Sequence, residues 1–224
     1  MQVKFVKFLM AVVFAALLLN APQLAIAAVS DAAVSDDDEN AVVIHGFRTA
    51  HFGMSESDVL KAVGKEFGLD DDAIAREENS LEKTASLIVP VTDLIPESGP
   101  SQIAYIFGYS SKKLIHVNIV WGHSVDAGTT AQKLVATANI LRNYFSASGY
   151  KNVKVNQPVE VGKTLVFRGS DDNGRMVLLI LNATRASDDQ GEGGDETTRR
   201  LSPRLSYIEN PQNPDIYRIQ EGQF

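Results

Sequence analysis

The chain has no cysteine among its 224 residues, one tryptophan and four histidines. Without a thiol there can be no disulfide, thiolate metal site, thiol nucleophile or lipid-modified N-terminal cysteine. Such a chain must be held by packing alone, which this length permits. Positive charge is also scarce, with 21 Lys and Arg against 28 Asp and Glu. A nucleic-acid surface needs clustered cations to neutralise phosphates, and docking to an anionic membrane needs them too. Neither partner is expected.

Long apolar runs are limited to one. Phe8 to Leu19 lies behind Lys4 and Lys7 and is followed by Ala25-Ile26-Ala27. A short basic stretch, an apolar core of about 7–15 residues and an A-x-A site describe a secretory signal peptide. The run falls short of the roughly 20 residues a membrane span requires. Residues 1–27 are therefore expected to be cleaved and the mature chain to start at Ala28, leaving no integral membrane segment. Cleavage removes two lysines and no acid, leaving 19 basic and 28 acidic residues and a formal charge of −9. The expected location is the periplasm or the medium.

Residues 28–41 are small or acidic, and Asp36, Asp37, Asp38 and Glu39 repel one another, as in a flexible leader. Calcium loops space their oxygens around a turn glycine, which this run does not do. Folded structure is expected from Val42. Ser55 reads as a helix N-cap, Val59, Leu60, Val63 and Phe67 share one face, and Gly68 supplies the stop. Asp70 is placed to cap a second short helix, about residues 71–77, that includes Ile74. Strands are expected over 85–91, 101–109 and 114–122. In the last of these Ile115, Val117, Ile119 and Trp121 alternate with His116, Asn118 and Val120, so that one face is buried.

The pattern then restarts. Thr129 and Gln132 have capping-box spacing. Leu134, Val135, Ala138, Leu141, Tyr144 and Phe145 form a helical stripe closed by Gly149. Strand signals follow at 153–155 with 159–161, then 164–169, 175–183 and 201–208. Asp172-Asn173-Gly174 carries the signature of a type I′ hairpin turn. Ser187–Glu196 reads as a mobile loop, and its Gly191-x-Gly193-Gly194 is flanked by acids that would repel phosphate. Ile216, Tyr217 and Ile219 give the proline-punctuated tail apolar groups to dock with.

The predicted architecture is α+β: two tandem helix-plus-antiparallel-sheet units, 42–125 and 126–209, with the helices packed on one face of the sheet. A C-terminal docking segment, 210–224, follows. Phe52-Gly53-Met54-Ser55-x-x-Asp58-Val59, together with this element order, resembles tandem helix-plus-sheet envelope proteins. The secreted β-lactamase inhibitor protein and the small outer-membrane assembly lipoprotein are of that type. The resemblance implies two repeated helix-plus-sheet units and a role in protein contacts.

Among motifs, Gly122-His123-Ser124-Val125-Asp126 lies between a strand and a helix, like a hydrolase nucleophile elbow. Asp126 replaces the second glycine, and all four histidines precede Ser124, against the Ser–acid–His order. The competing reading is that Gly122 ends the strand and Ser124 or Asp126 caps the next helix. His116 and Asn118 on the polar strand face, with His123 beyond, form a candidate contact surface. Trp121 has the opposite parity and belongs in the core. The sequence holds no Walker, Rossmann, kinase or zinc-protease signature, so neither a metal nor a cofactor is expected. The function expected is a non-enzymatic interaction module with an envelope protein as partner. A small-ligand carrier would need an apolar pocket between helices and sheet, and a hydrolase would need Ser124.

Overall fold

The computed structural model describes residues 41–185, 199–219 and 222. The expected signal peptide, nearly all of the acidic leader and the 187–196 loop lie outside the described residues. Helix α1 (Glu56–Phe67) starts where Ser55, in extended backbone, accepts the Asp58 N–H on its hydroxyl. It ends at Gly68, whose φ of 65° suits a residue without a Cβ. Helix α2 (Ala131–Ser146) is capped by Thr130, which accepts from Lys133 N at 3.3 Å. Thr129 instead donates its hydroxyl to Asp126 Oδ2 at 2.6 Å, so the N-cap falls one residue later than expected and the Thr129–Gln132 capping box is not formed.

The expected helix at 71–77 is reduced to a single 3-10 turn, Asp71–Ala73, because the chain from Ala75 onward pairs as a strand. Strands β1 (Gly46–Phe47) and β2 (Ala50–His51) form a small hairpin. The main sheet is built from β3 (Ala75–Asn79), β4 (Thr84–Val91), β5 (Ser101–Phe107), β6 (Leu114–Trp121), β7 (Lys151–Glu160), β8 (Lys163–Ser170), β9 (Met176–Arg185) and β10 (Arg199–Ile208). Their order is β3-β4-β5-β6-β10-β9-β8-β7, antiparallel throughout. Strand β7 joins the two expected valine runs into one strand. Pro90 is tolerated in β4 because β3 pairs only as far as Ile88, leaving β4 outermost at the proline.

Register explains the core. Val89, Ile103, Ile119, Leu205, Leu179 and Phe167 lie side by side across six strands. Each is buried, and together with Val59 and Val63 of α1 and Leu134, Ala138, Leu141 and Phe145 of α2 they form one apolar cluster. Full burial of such a side chain contributes about 1.5–3 kcal/mol. Trp121 is fully buried and donates its indole N–H to Ser98 Oγ at 3.3 Å. Val135 and Tyr144 of the expected helical stripe are not part of this packing; Tyr144 is 65% exposed.

The hairpin at Asp171–Arg175 differs from the expected type I′ turn. Asp171 O accepts from Gly174 N, and of these residues Gly174 alone takes a positive φ. The cause is the Asp171 carboxylate, which accepts from Arg175 N at 2.9 Å and from Ile44 N at 3.0 Å. Arg175 Nη1 in turn donates to Ile44 O at 2.9 Å, so this wider turn clamps the start of the described chain.

Candidate functional site

One row of the sheet face turned away from the core cluster carries Ile88, Ala104, Asn118, Ser206, Leu178 and Arg168 in register. The next row carries Ile106, His116, Ile208 and Met176. Ile88, Leu165 and Met176 on this face are buried, yet they stand outside the cluster that includes both helices. Ser86 and Ser170 close the second row, and the row on the other side of the first sets Gln102 and Arg204 beside Val120 and Ile180, so the face mixes aliphatic and polar groups. Ser206 Oγ donates to Asn118 Oδ1 at 2.6 Å, and Asn118 stands two residues from His116 on the same face of β6.

His116 Nε2 is buried and has no hydrogen-bond partner among the described residues. Burial lowers the His116 pKa from 6.5 to about 4; the Asn118 side chain opposes that shift and nearby Arg204 adds to it. The imidazole is therefore neutral across the physiological range. His116 also lines a cleft of about 830 Å³ between the sheet and the chain that leaves β10. Ile106, Ile208, Arg175 and Glu209 line it as well.

The outer wall of the cleft is the C-terminal segment, and Asp215 pins it. Its carboxylate accepts from Ser110 N at 2.9 Å and Ser111 N at 2.8 Å, and its carbonyl accepts from Tyr109 N at 2.8 Å. Those bonds hold its carboxyl below the usual range, although burial acts in the opposite direction. Tyr217 N donates to Glu82 O, and the Tyr217 ring packs edge-on against Tyr109 at 5.5 Å. The tail is thus held against the chain's own β3–β4 and β5–β6 turns.

His116 and Asn118 are thus brought together and His123 is not. His123 is exposed in the turn after β6, beyond Trp121, and about 16 Å of strand at roughly 3.3 Å per residue separates His116 from Trp121. Ser124 is exposed in the same turn, and no described histidine hydrogen-bonds to it. Gly122 ends the strand with φ 104°; a Cβ there would lie 2.4 Å from Leu201 O. Asp126 closes the turn by accepting from Gly128 N and Thr129 Oγ1. Glu209 and Arg175 escaped the sequence reading, since only the long-range pairing of β10 and β9 brings them beside His116. Among the described residues no group of three or more His, Asp or Glu is arranged to hold a metal ion.

The depressed His116 pKa has a measurable consequence. Above pH 6.5 the site is neutral in both the folded and the unfolded chain. Between 6.5 and about 4 the unfolded chain takes up a proton that the folded one refuses, so stability falls with pH across that window. His116→Gln cannot titrate. Its melting temperature should rise relative to wild type as pH drops from neutral to about 4. A constant gap between the two proteins in thermal melts across that range would refute the assignment.

No protein-family model matches this chain, and comparison with curated proteins and with solved structures finds no match either.

Proposed function

We propose that this chain is an exported, non-enzymatic protein-interaction module of the bacterial cell envelope, of scaffold, chaperone or inhibitor type. Its contact surface is the sheet face turned away from the core cluster. The observation that carries this reading is that face itself: half-buried Ala104, Ile106, Leu178 and Ile208 interleaved with His116, Asn118, Arg168 and Arg204, none of them in the cluster that holds both helices. Apolar area edged by polar groups marks interaction surfaces. The non-enzymatic reading is supported by the exposed position of Ser124 and by the absence of a described histidine bonded to it; a nucleophilic serine needs such a base.

We read the architecture as two tandem units, each a helix followed by a four-stranded meander, with both helices on one sheet face. The strand order supports this, since β3-β4-β5-β6 meets the reversed run β10-β9-β8-β7 at the β6–β10 seam. It also agrees with a resemblance to the tandem helix-plus-sheet envelope proteins.

A second reading, a small-ligand carrier, has one specific observation in its favour. A groove of about 460 Å³ lies on the helix side, walled by Ile140, Leu141 and Tyr144 of α2 and by Phe47 of the small hairpin. Its floor, Ile119 and Trp121, is fully buried while Ile140 and Tyr144 at its rim are exposed. A shallow groove over a sealed floor favours surface contact over enclosure, so the interaction reading stands first.

Crosslinking in intact cells followed by purification is the direct test. Wild type should capture one envelope protein reproducibly, and His116→Ala with Asn118→Ala should lose it, while Ser124→Ala retains both capture and function. Loss of function in a folded Ser124→Ala protein would move the chain to the enzymes. Export gives a separate expectation: protein recovered from the periplasmic fraction should begin at Ala28 by N-terminal sequencing. An intact chain held in washed membranes would contradict it.

A further inference from the structure

Glu209 is the first residue after β10, and its backbone N–H donates to Ile115 O at 3.0 Å. That bond fixes the residue at the mouth of the 830 Å³ cleft. Its carboxylate has no hydrogen-bond or ion-pair partner among the described residues. Burial raises its pKa; Arg175 partly offsets this and Asp215 reinforces it. The other ionisable groups around the cleft are already engaged. Asp215 is held by the Ser110 and Ser111 amides, Arg175 donates to Ile44 O, and Glu82 accepts from Asn79 at 3.4 Å. His116 adds no positive charge, because its imidazole is neutral. The cleft therefore combines aliphatic walls, Ile106 and Ile208, with an acidic balance in which Glu209 is the free group.

We infer, resting on the contact-surface reading above, that this cleft receives a lysine or arginine side chain from a partner protein, flanked there by aliphatic residues. The aliphatic stem lies on Ile106 and Ile208, and the cationic head meets Glu209. Charge complementarity selects this occupant. An acidic segment would face Glu82, Glu209 and Asp215 together, and a wholly apolar one would bury the Glu209 carboxylate unpaired. A long amphipathic side chain satisfies both the walls and the charge.

The test is amide NMR of the purified protein, titrated with acetyl-Leu-Lys-Leu-amide, its Gln and Glu counterparts, and hexylamine. The lysine peptide should shift Ser111, Ile208 and Glu209 saturably. The Gln peptide should bind about fivefold more weakly, the scale of a partly exposed ion pair, and the Glu peptide should not bind. Glu209→Gln should bring the lysine peptide down to the Gln level with an unchanged melting temperature. Added salt should weaken the lysine peptide in wild type alone. Equal binding of the three peptides, shifts confined to another surface, or an inert Glu209→Gln overturns the inference. Hexylamine binding as tightly as the lysine peptide also overturns it, in favour of a free amine. If the peptides fail while crosslinking still captures a partner that the His116/Asn118 double variant loses, only this inference falls. If both fail, the contact-surface reading falls with it.

Discussion

Leu141→Asp is expected to cost about 4 kcal/mol or more, enough to leave the protein largely unfolded at its ordinary working temperature. Leu141 sits in the middle of α2 at 8% exposure, in one cluster with Phe145, Ile119, Trp121 and Leu205. The substitution removes the burial of a leucine, worth about 2–3 kcal/mol, and places a carboxylate in an apolar cluster. Domains of this length shift their melting temperature by about 2–4 °C per kcal/mol, so a fall of about 8–16 °C or more is the expected reading. The neighbouring Ile140→Asp is the control. Ile140 is 52% exposed, and a charge there stays in water, so its cost should remain within about 1 kcal/mol. Circular dichroism melts of the two variants decide the matter. A melting temperature for Leu141→Asp close to that of Ile140→Asp would mean that α2 does not rest on the sheet through this stripe.

That contrast between adjacent residues also shows how far the sequence could be read. Spacing alone placed Leu134, Ala138, Leu141 and Phe145 on one face, and the same spacing drew in Val135 and Tyr144, which the sheet does not reach. Period-two alternation placed Val117, Ile119 and Trp121 of β6 in the core, because that strand is central and paired on both edges; Ile115, beside the register shift at the start of the strand, is buried outside that cluster. Edge strands offer no such signal. Strand β3 reads Ala-Arg-Glu-Glu-Asn, exposed at every position, and its first three residues fall in the helix expected over about 71–77 because Asp70 looks like a cap. The charges that hide it from a pattern search also protect a sheet edge against pairing with other chains. The other edge strand, β7, is exposed along its length and broken by register shifts, so it reads as two fragments.

The site was legible only in part, for a related reason. His116 and Asn118 stand two residues apart on one strand, and local periodicity suffices to put them together. Ser206, Glu209 and Arg175 join them through the pairing of β10 with β6 and with β9, across 88 residues of chain in the case of the Ser206–Asn118 bond. Asp171 is similar: it stands just before the Asp172-Asn173-Gly174 turn signal, yet it is buried and its carboxylate secures Ile44, 127 residues away. Such contacts follow from register, and register is set by the whole sheet.

Trp121→Ala should be the other severe substitution, costing about 3–5 kcal/mol. The indole is the largest fully buried side chain and lies at the end of β6, beneath the groove walled by α2. Removing it subtracts apolar burial and leaves a void that the sheet cannot close, since Ile119 and Leu205 beside it are fixed by strand pairing. A smaller polar effect adds to this. Trp121 Nε1 is a donor to Ser98 Oγ, and Ser98 is 2% exposed, so the truncated protein buries a hydroxyl oxygen that has lost its donor. Ser98 still donates to Gly99 O at 3.2 Å, which limits that part to about 1 kcal/mol. Trp121→Phe should recover more than half of the loss by refilling the apolar volume, and Ser98→Ala should cost about 1 kcal/mol. Urea unfolding of the three variants, followed by circular dichroism because the only tryptophan is removed in two of them, gives the ranking. If Trp121→Ala unfolded at the same urea concentration as Trp121→Phe, the ring would not be filling the space beneath α2, and the packing of helix on sheet at that end would have to be redrawn.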